Sequence, residues 1–280
     1  MSIKIGLIGE DISASLSPFL HEREGRENQL EYSYHLIDTL DPFFHKMPLE
    51  KLLIYAIDNQ FSGLNITHPF KQKVVPYLDK KNKQVKELKS ANTIIIKNGK
   101  LAGYNTDYFG YVAFLKQVFV NVKLGNILLV GSGGAGRAVS LALIDHGLQE
   151  LILSDISISV AQELATLLKT LRPSQTISVC DVNQIPKKSI SGVVNATPLG
   201  MSKLPGICVN PREFSSDCWF GDIVYFPLQT EFLRIAKESG HQTFNGSYMA
   251  VYQAARSFRY FTGIRANEDR MMNEFKNRVS

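Results

Sequence analysis

The 280-residue chain predicts an α/β protein of two domains, an N-terminal domain with a mixed sheet and a second, doubly wound domain. Three observations predict it. Short apolar runs alternate with helix-periodic stretches, the pattern of α/β folds. A glycine cluster, Gly131-Ser132-Gly133-Gly134-Ala135-Gly136, stands between the run Ile127-Leu128-Leu129-Val130 and a helix-forming run from Arg137. Asn98-Gly99, between two further strand-like runs, is a hairpin signal and suits a mixed sheet.

Taken in order, residues 3–8 read as a buried strand stopped by Gly9. Ser17 and Pro18 suit the cap and first turn of a helix over residues 19–28. Ser13, Ser15 and Ser17 alternate, and one cap needs only one hydroxyl, so the others are available to a carboxylate. Residues 32–37 form a second strand. Residues 48–59 form a helix, with Leu49, Leu52, Leu53, Ala56 and Ile57 on one face. Residues 61–66 form a third strand, and Pro69 suits a helix start after it. Lys71 would then lie in a first helical turn, unfavourably placed against the dipole, which hints at another task. Residues 89–96 read as a strand with Asn92 near its start, and residues 100–104 return beside it. Asp107 is either the cap of a helix over residues 108–119 or a ligand-binding carboxylate.

The second domain follows, with boundaries placed at residues 108–246, leaving 1–107 and 247–280 to the first. The glycines fit G-x-G-x-x-G in the strand–turn–helix context of a Rossmann-type dinucleotide site. The helix N-terminus supplies N–H groups and a positive dipole end to phosphates. Leu151-Ile152-Leu153 is the next strand, and Asp155 after it is placed for an adenine ribose hydroxyl. With no Arg or Lys beside Asp155, NAD is favoured over NADP. Further strands fall at residues 176–180, 192–195, 219–225 and 241–244, with helices at 160–171 and 230–238. Ser247 suits the cap of a long helix. It and a last helix from about residue 267 are expected to return to the first domain.

Composition is that of an ordinary globular protein. The net charge of +5 is concentrated between Lys71 and Lys100, a stretch without arginine and with one aromatic, Tyr77. A solvated face is expected there, not a nucleic-acid site. Three scattered cysteines suggest neither disulfides nor zinc. No signal peptide or membrane-length run is evident, so a cytoplasmic protein is expected.

The polar residues at the strand ends of the first domain are Ser15, Ser17, Thr67, Lys71, Asn92 and Asp107. These hydroxyls, amide, amine and carboxylate suit a small polyhydroxylated acid. Hydride transfer to a nicotinamide needs a group that takes the hydroxyl proton, and Lys71 with Asp107 can supply it.

With these motifs in hand, the chain resembles the shikimate/quinate dehydrogenase family over nearly its whole length. Ser15-Leu16-Ser17-Pro18, Asn65-Ile66-Thr67-His68-Pro69-Phe70-Lys71, Ala91-Asn92-Thr93, Asn105-Thr106-Asp107, the glycine loop, Asn195-Ala196-Thr197 and Asn245-Gly246 with Met249 match its motifs in order. The resemblance implies NAD-linked, reversible oxidation of the C3 hydroxyl of shikimate, and of quinate, to the 3-dehydro acid. It implies Lys71 as general acid/base paired with Asp107. Ser15 and Ser17 would hold the carboxylate, and Thr67, Asn92 and Gln253 the ring hydroxyls, with Tyr225 near the substrate. Ser132, Gly134, Ala135, Asn195, Thr197, Val224, Gly246 and Met249 would join Gly131, Gly133, Gly136 and Asp155 around the cofactor. No metal, nucleic acid or membrane is implied, and the protein would be a monomer or homodimer in aromatic amino acid biosynthesis. Ser154-Asp155-Ile156 is similar to the NAD-using branch. Where the family usually has Gly-Ala-Val before the asparagine, this chain has Lys89-Ser90-Ala91. Two other readings remain: a dehydrogenase of an amino-substituted ring acid, and a ligand sensor without turnover.

Overall fold

The computed structural model describes residues 2–120 and 124–279. The chain divides into two compact units, one running up to Phe109 and resuming at Val251–Arg278, the other spanning Gly110–Ala250.

The first unit opens with β1 (Ile3–Gly9), α1 (Ser17–Glu27), β2 (Tyr32–Asp38), α2 (Leu49–Asp58) and β3 (Gly63–Ile66). It continues with β4 (Lys80–Lys81), α3 (Lys83–Leu88), β5 (Thr93–Lys97) and β6 (Lys100–Tyr104). The sheet is mixed, in the order β2-β1-β3-β5-β6-β4. β1 runs parallel to β2 and β3, while β5 is antiparallel to β3 and β6. The Asn98-Gly99 turn has both residues at positive φ, as a two-residue hairpin requires. On α2 the expected apolar face is buried, Leu49, Leu52, Leu53 and Ala56 packing in one core with Leu64 and Ile94. Each fully buried leucine is worth about 1.5–3 kcal/mol.

The second unit begins within α4 (Thr106–Val118). It holds β7 (Asn126–Val130), α5 (Gly134–Asp145), β8 (Glu150–Ser154), α6 (Ile158–Leu171), β9 (Thr176–Val179) and β10 (Gly192–Asn195). It ends with β11 (Trp219–Asp222), α7 (Glu231–Glu238), β12 (Thr243–Phe244) and the start of α8 (Ser247–Thr262). All six strands are parallel, in the order β12-β11-β10-β7-β8-β9. This is the doubly wound order, with its switch point between β7 and β10. Ile127, Leu128 and Leu129 are wholly buried, as strands covered on both faces must be.

The C-terminal helices return to the first unit. Glu24 of α1, itself buried, accepts Arg270 Nη2 at 2.8 Å and Nε at 3.0 Å, from α9 (Glu268–Val279). Among the described residues no helix is long and apolar enough to cross a membrane, and no group of His, Cys, Asp and Glu could hold a metal ion.

Several local expectations are corrected. Ser17 is the first residue of α1, not its cap; Leu16 holds that place without a side-chain bond. Pro69 starts no helix. Residues 68–74 form turns, and Val75–Tyr77 a single 3-10 turn. Pro69 and Pro76 lack the N–H groups that a continuous helical ladder needs here. The dipole argument for Lys71 therefore falls away. The strand expected at residue 89 begins at Thr93, because α3 occupies Lys83–Leu88 and Lys89 ends it in the left-handed conformation, φ 52°. Asp107 is not a cap: Asn105 Oδ1 accepts Tyr108 N at 3.1 Å, leaving the Asp107 carboxylate for other partners. Ser247 likewise lies inside α8 and gives its hydroxyl to Asn245 Oδ1 at 2.6 Å. β11 stops at Asp222, whose own Oδ1 takes Val224 N at 2.9 Å and turns the chain out of the sheet.

Candidate active site and cofactor loop

The polar cluster of the first unit grows from the ends of β3, β5 and β6. Lys71, in the turns after β3, is placed by a main-chain bond from Ala91 N to its carbonyl at 2.8 Å. Its Nζ donates to Asp107 Oδ2 at 2.6 Å, a charge-assisted bond between side chains 18% and 6% exposed. Asn92 Nδ2 donates to the other oxygen, Asp107 Oδ1, at 3.0 Å. The same amide lies 3.4 Å from Gln253 Oε1 on α8. Lys71, Asp107, Asn92 and Gln253 thus form one bonded group.

The serines and Thr67 stand on neighbouring loops. Thr67 N donates to Ile8 O at 2.9 Å and Glu10 N to His68 O at 3.0 Å, so the loops after β1 and β3 run together. Gly9 makes room for this: a Cβ there would meet Thr67 Cγ2 at 2.3 Å. Ser15 Oγ accepts Ser17 N at 3.3 Å, and both serines are half-buried. Asp38, at the end of β2, grips the loop leading to them through Asp11 N at 2.9 Å and Ile12 N at 2.8 Å. Sequence reading passed over Asp38, although an acidic residue closing a strand before Thr39-Leu40-Asp41-Pro42 was a visible turn signal. It also passed over Thr106, wholly buried and bonded to Asn92 on both its main chain and its side chain.

In the second unit each glycine of the loop has its own physical reason. Gly131 has φ 101°, and a Cβ on it would strike the Ala196 backbone at 2.8 Å. A Cβ on Gly136 would stand 2.0 Å from Gly131 O, so only glycine lets α5 start this close to the turn. At Gly133 a Cβ would meet nothing within 4 Å. Protein packing therefore does not demand a glycine at 133, whereas a phosphate resting on the N-terminus of α5 would. Gly134 and Ala135 form the first turn of that helix. Ser132 beside them is fully buried with no partner for its hydroxyl. Asp155 Oδ2 accepts Ser132 N at 2.7 Å and its Oδ1 accepts Ser157 N at 3.0 Å, placing this carboxylate against the glycine loop. The donor set and the open face at Gly133 fit a dinucleotide.

Asn195 and Thr197 are held internally. Asn195 Oδ1 accepts Thr197 Oγ1 at 2.6 Å, and its Nδ2 donates to Leu199 O at 2.9 Å and Asp222 Oδ1 at 3.0 Å. They shape the loop across the switch point. Gly246 lies against the next loop: a Cβ would meet Ile223 O at 2.2 Å, and its N–H reaches Val224 O at 3.3 Å. Gly246 and Met249 share a small crevice with Tyr111, Asp222, Ile223 and Asn245. Burial pushes the Asp222 carboxyl up to about 7, against the pull of bonds from Thr230, Val224 N and Asn195. Tyr225 is half-buried after β11 and belongs to the second unit.

Residues 7–94 match the shikimate dehydrogenase substrate binding domain family, and residues 246–274 the shikimate 5'-dehydrogenase C-terminal domain family. A quinate/shikimate dehydrogenase (NAD(+)) of Corynebacterium glutamicum is 39% identical over 277 residues, covering 98% of both chains. The chain belongs to the shikimate/quinate dehydrogenase family. A shikimate dehydrogenase (NADP(+)) of an Arthrobacter species is 38% identical over 276 residues, covering 98% of this chain and 94% of that one. Among solved structures, a quinate dehydrogenase from Corynebacterium glutamicum in complex with NAD aligns with TM-score 0.91 at 38% identity, covering 99% of each chain. A family member from Thermus thermophilus, solved with NADP(H) and shikimate, aligns with TM-score 0.81 at 29% identity, covering 98% of this chain and 99% of that one.

Proposed function

We propose that the protein is an NAD-dependent oxidoreductase that reversibly oxidises the C3 hydroxyl of shikimate, and of quinate, to the 3-dehydro acid. The observation that carries this reading is the Lys71 Nζ to Asp107 Oδ2 bond, 2.6 Å long, in a polar group that also contains Asn92 and Gln253. In the oxidation direction the hydroxyl proton passes to the Lys71–Asp107 pair while the carbon gives up its hydride. In reduction Lys71 Nζ returns that proton to the carbonyl oxygen. NAD, when bound, supplies the hydride acceptor. Gly131 to Gly136 would cradle its pyrophosphate and Asp155 its adenine ribose, with Asn195, Thr197, Val224, Gly246 and Met249 shaping the nicotinamide end. Ser15 and Ser17 would take the substrate carboxylate. Thr67 and Gln253 would take ring hydroxyls with Asn92, and Tyr225 would stand near them.

Overall identity does not choose the cofactor, since NAD and NADP relatives stand at 39% and 38%. Asp155 does. A carboxylate facing the glycine loop repels a ribose 2′-phosphate, and Ser154, Ile156 and Ser157 around it offer no counter-charge. A small hydroxylated acid and a dinucleotide as reactants suit a cytoplasmic enzyme, as monomer or homodimer.

The test is a steady-state matrix of shikimate and quinate against NAD and NADP. Reduced cofactor should appear with NAD and either acid. No turnover with any combination would overturn the assignment, and a preference for NADP would overturn the role of Asp155.

A further inference from the structure

Behind the Lys71–Asp107 pair and Asn92 runs a chain of buried polar groups that take no direct part in the proton transfer. Asn92 Nδ2 faces Asp107 Oδ1 at 3.0 Å, and the orientation of that amide is set from behind. Thr106 N donates to Asn92 Oδ1 at 2.6 Å, so turning the amide over would set N–H against N–H. Asn92 Nδ2 also donates to Thr106 Oγ1 at 2.8 Å. Thr106 Oγ1 lies 3.2 Å from Thr93 Oγ1, which accepts Asn65 Nδ2 at 3.1 Å. The same Asn65 amide donates to the Asn92 carbonyl at 3.1 Å. Asn65 Oδ1 in turn accepts the hydroxyl of Tyr34 at 2.9 Å. Tyr34 stands on the edge strand β2 and Asn65 on β3, with β1 between them.

All five residues of this chain are at most 6% exposed. On β3 Asn65 alternates with Leu64 and Ile66, so its side chain leaves their apolar core to the other face of the sheet and meets Tyr34, which packs there with Ile5 and Leu7. Each donor and acceptor of the Asn65 amide is spent toward the cluster or toward Tyr34. Such a fully satisfied network fixes one arrangement of its members. The Tyr34 hydroxyl donates to Asn65, Asn65 donates to Thr93 and to the Asn92 carbonyl, and the Asn92 side-chain amide accepts from Thr106 N while donating to Asp107.

We propose that Tyr34 is a positioning residue for the reaction, acting through Asn65, Thr93 and Thr106 to hold the Asn92 amide against Asp107; this rests on the role given to Lys71 and Asp107 above. Tyr34→Phe removes the hydroxyl and keeps the ring, whose centroid is 4.9 Å from that of His21. Thr93→Val breaks the chain at its middle and keeps the side-chain shape. Two readouts apply to both variants: kcat and KM for shikimate and quinate, and the side-chain amide resonances of Asn92, assigned by their loss in Asn92→Asp. The expected result is a kcat lowered about tenfold, within the ~10²-fold cost of misplacing a reacting group. KM should change by less than about twofold, because the loss is made in the transition state. The Asn92 resonances should move in both variants. A lowered melting temperature with kcat unchanged in an active enzyme would overturn the proposal, as would unmoved Asn92 resonances. If the wild-type protein turned over neither acid, the assignment of function would fail while the Asn92 resonances would still decide the relay.

Discussion

Asp107 and Asp155 are both acidic residues that follow a strand, yet the protein holds them by different means. Asp107 is bonded by side chains, Lys71 Nζ and Asn92 Nδ2. Asp155 is bonded by main-chain amides, Ser132 N and Ser157 N. The contrast extends to the two units. The first places its groups through Tyr34, Asn65, Thr93, Asn92 and Thr106. The second places its loops through glycines whose missing Cβ atoms permit close backbone approach. Moving a proton requires particular donors and acceptors, which only side chains provide in variety. Holding a phosphate requires N–H groups and a dipole, which the backbone already has. Substitutions in the first unit should therefore act on turnover, and those in the second on cofactor affinity and stability.

The largest expected effect breaks the first half of the comparison. Lys71→Ala should lower turnover by about 10²–10⁴, the scale of lost general acid–base catalysis, while NAD binding measured by calorimetry stays unchanged. Equal loss of NAD binding would show that the units do not divide the work in this way. A pair of glycine variants sharpens the second half. Gly136→Ala, with its Cβ 2.0 Å from Gly131 O, should cost about 1–3 kcal/mol of stability in a urea titration. Gly133→Ala, with open space around its Cβ, should unfold at the wild-type urea concentration but bind NAD more weakly. Matching behaviour of the two variants would remove the assigned distinction.

Titration contrasts the units again. His21, buried in the first, is lowered by desolvation to about 3, while Asp222 in the second is raised to about 7. For His21 the unfolded chain binds the proton more readily, so its contribution is lost as pH falls from about 6.5 toward 3. For Asp222 the folded chain binds the proton more readily, so stability falls as pH rises from about 4 to 7 and then levels off. Asp222→Asn should remove this second slope; parallel stability curves for variant and wild type between pH 4 and 7 would refute it. The smallest effect concerns Lys89, at φ 52°. Lys89→Gly should raise stability by about 1 kcal/mol, because glycine adopts that conformation without a Cβ penalty. An unchanged or lowered midpoint would show that the lysine side chain offsets it.

The long periodic elements could be read in the sequence. The α2 face, the β7–α5 turn and the Asn98-Gly99 hairpin all emerged from spacing and turn chemistry. What could not be read lay where local signals compete. α3 carries only two buried residues, Val85 and Leu88, among lysines, so a solvated stretch hid a helix of one and a half turns. Capping was misplaced at Ser17 and Asp107 because a capping residue type is common and its hydrogen bond is a matter of geometry. The site residues stood out one by one as polar residues at strand ends. Their connection through Thr106, Thr93 and Asn65 depends on β3 pairing with β5, which residue spacing does not encode; the hairpin signal sets only β5 beside β6.

The division of the chain also sets an order of assembly. The unit Gly110–Ala250 is contiguous, so every residue it needs has been synthesised once Ala250 has left the ribosome. The other unit is split, and it waits for Val251–Arg278, which brings Gln253 to Asn92 and Arg270 to Glu24. During translation the glycine-loop unit can fold while the polar group of Lys71, Asp107 and Asn92 still lacks Gln253, so that group is completed last.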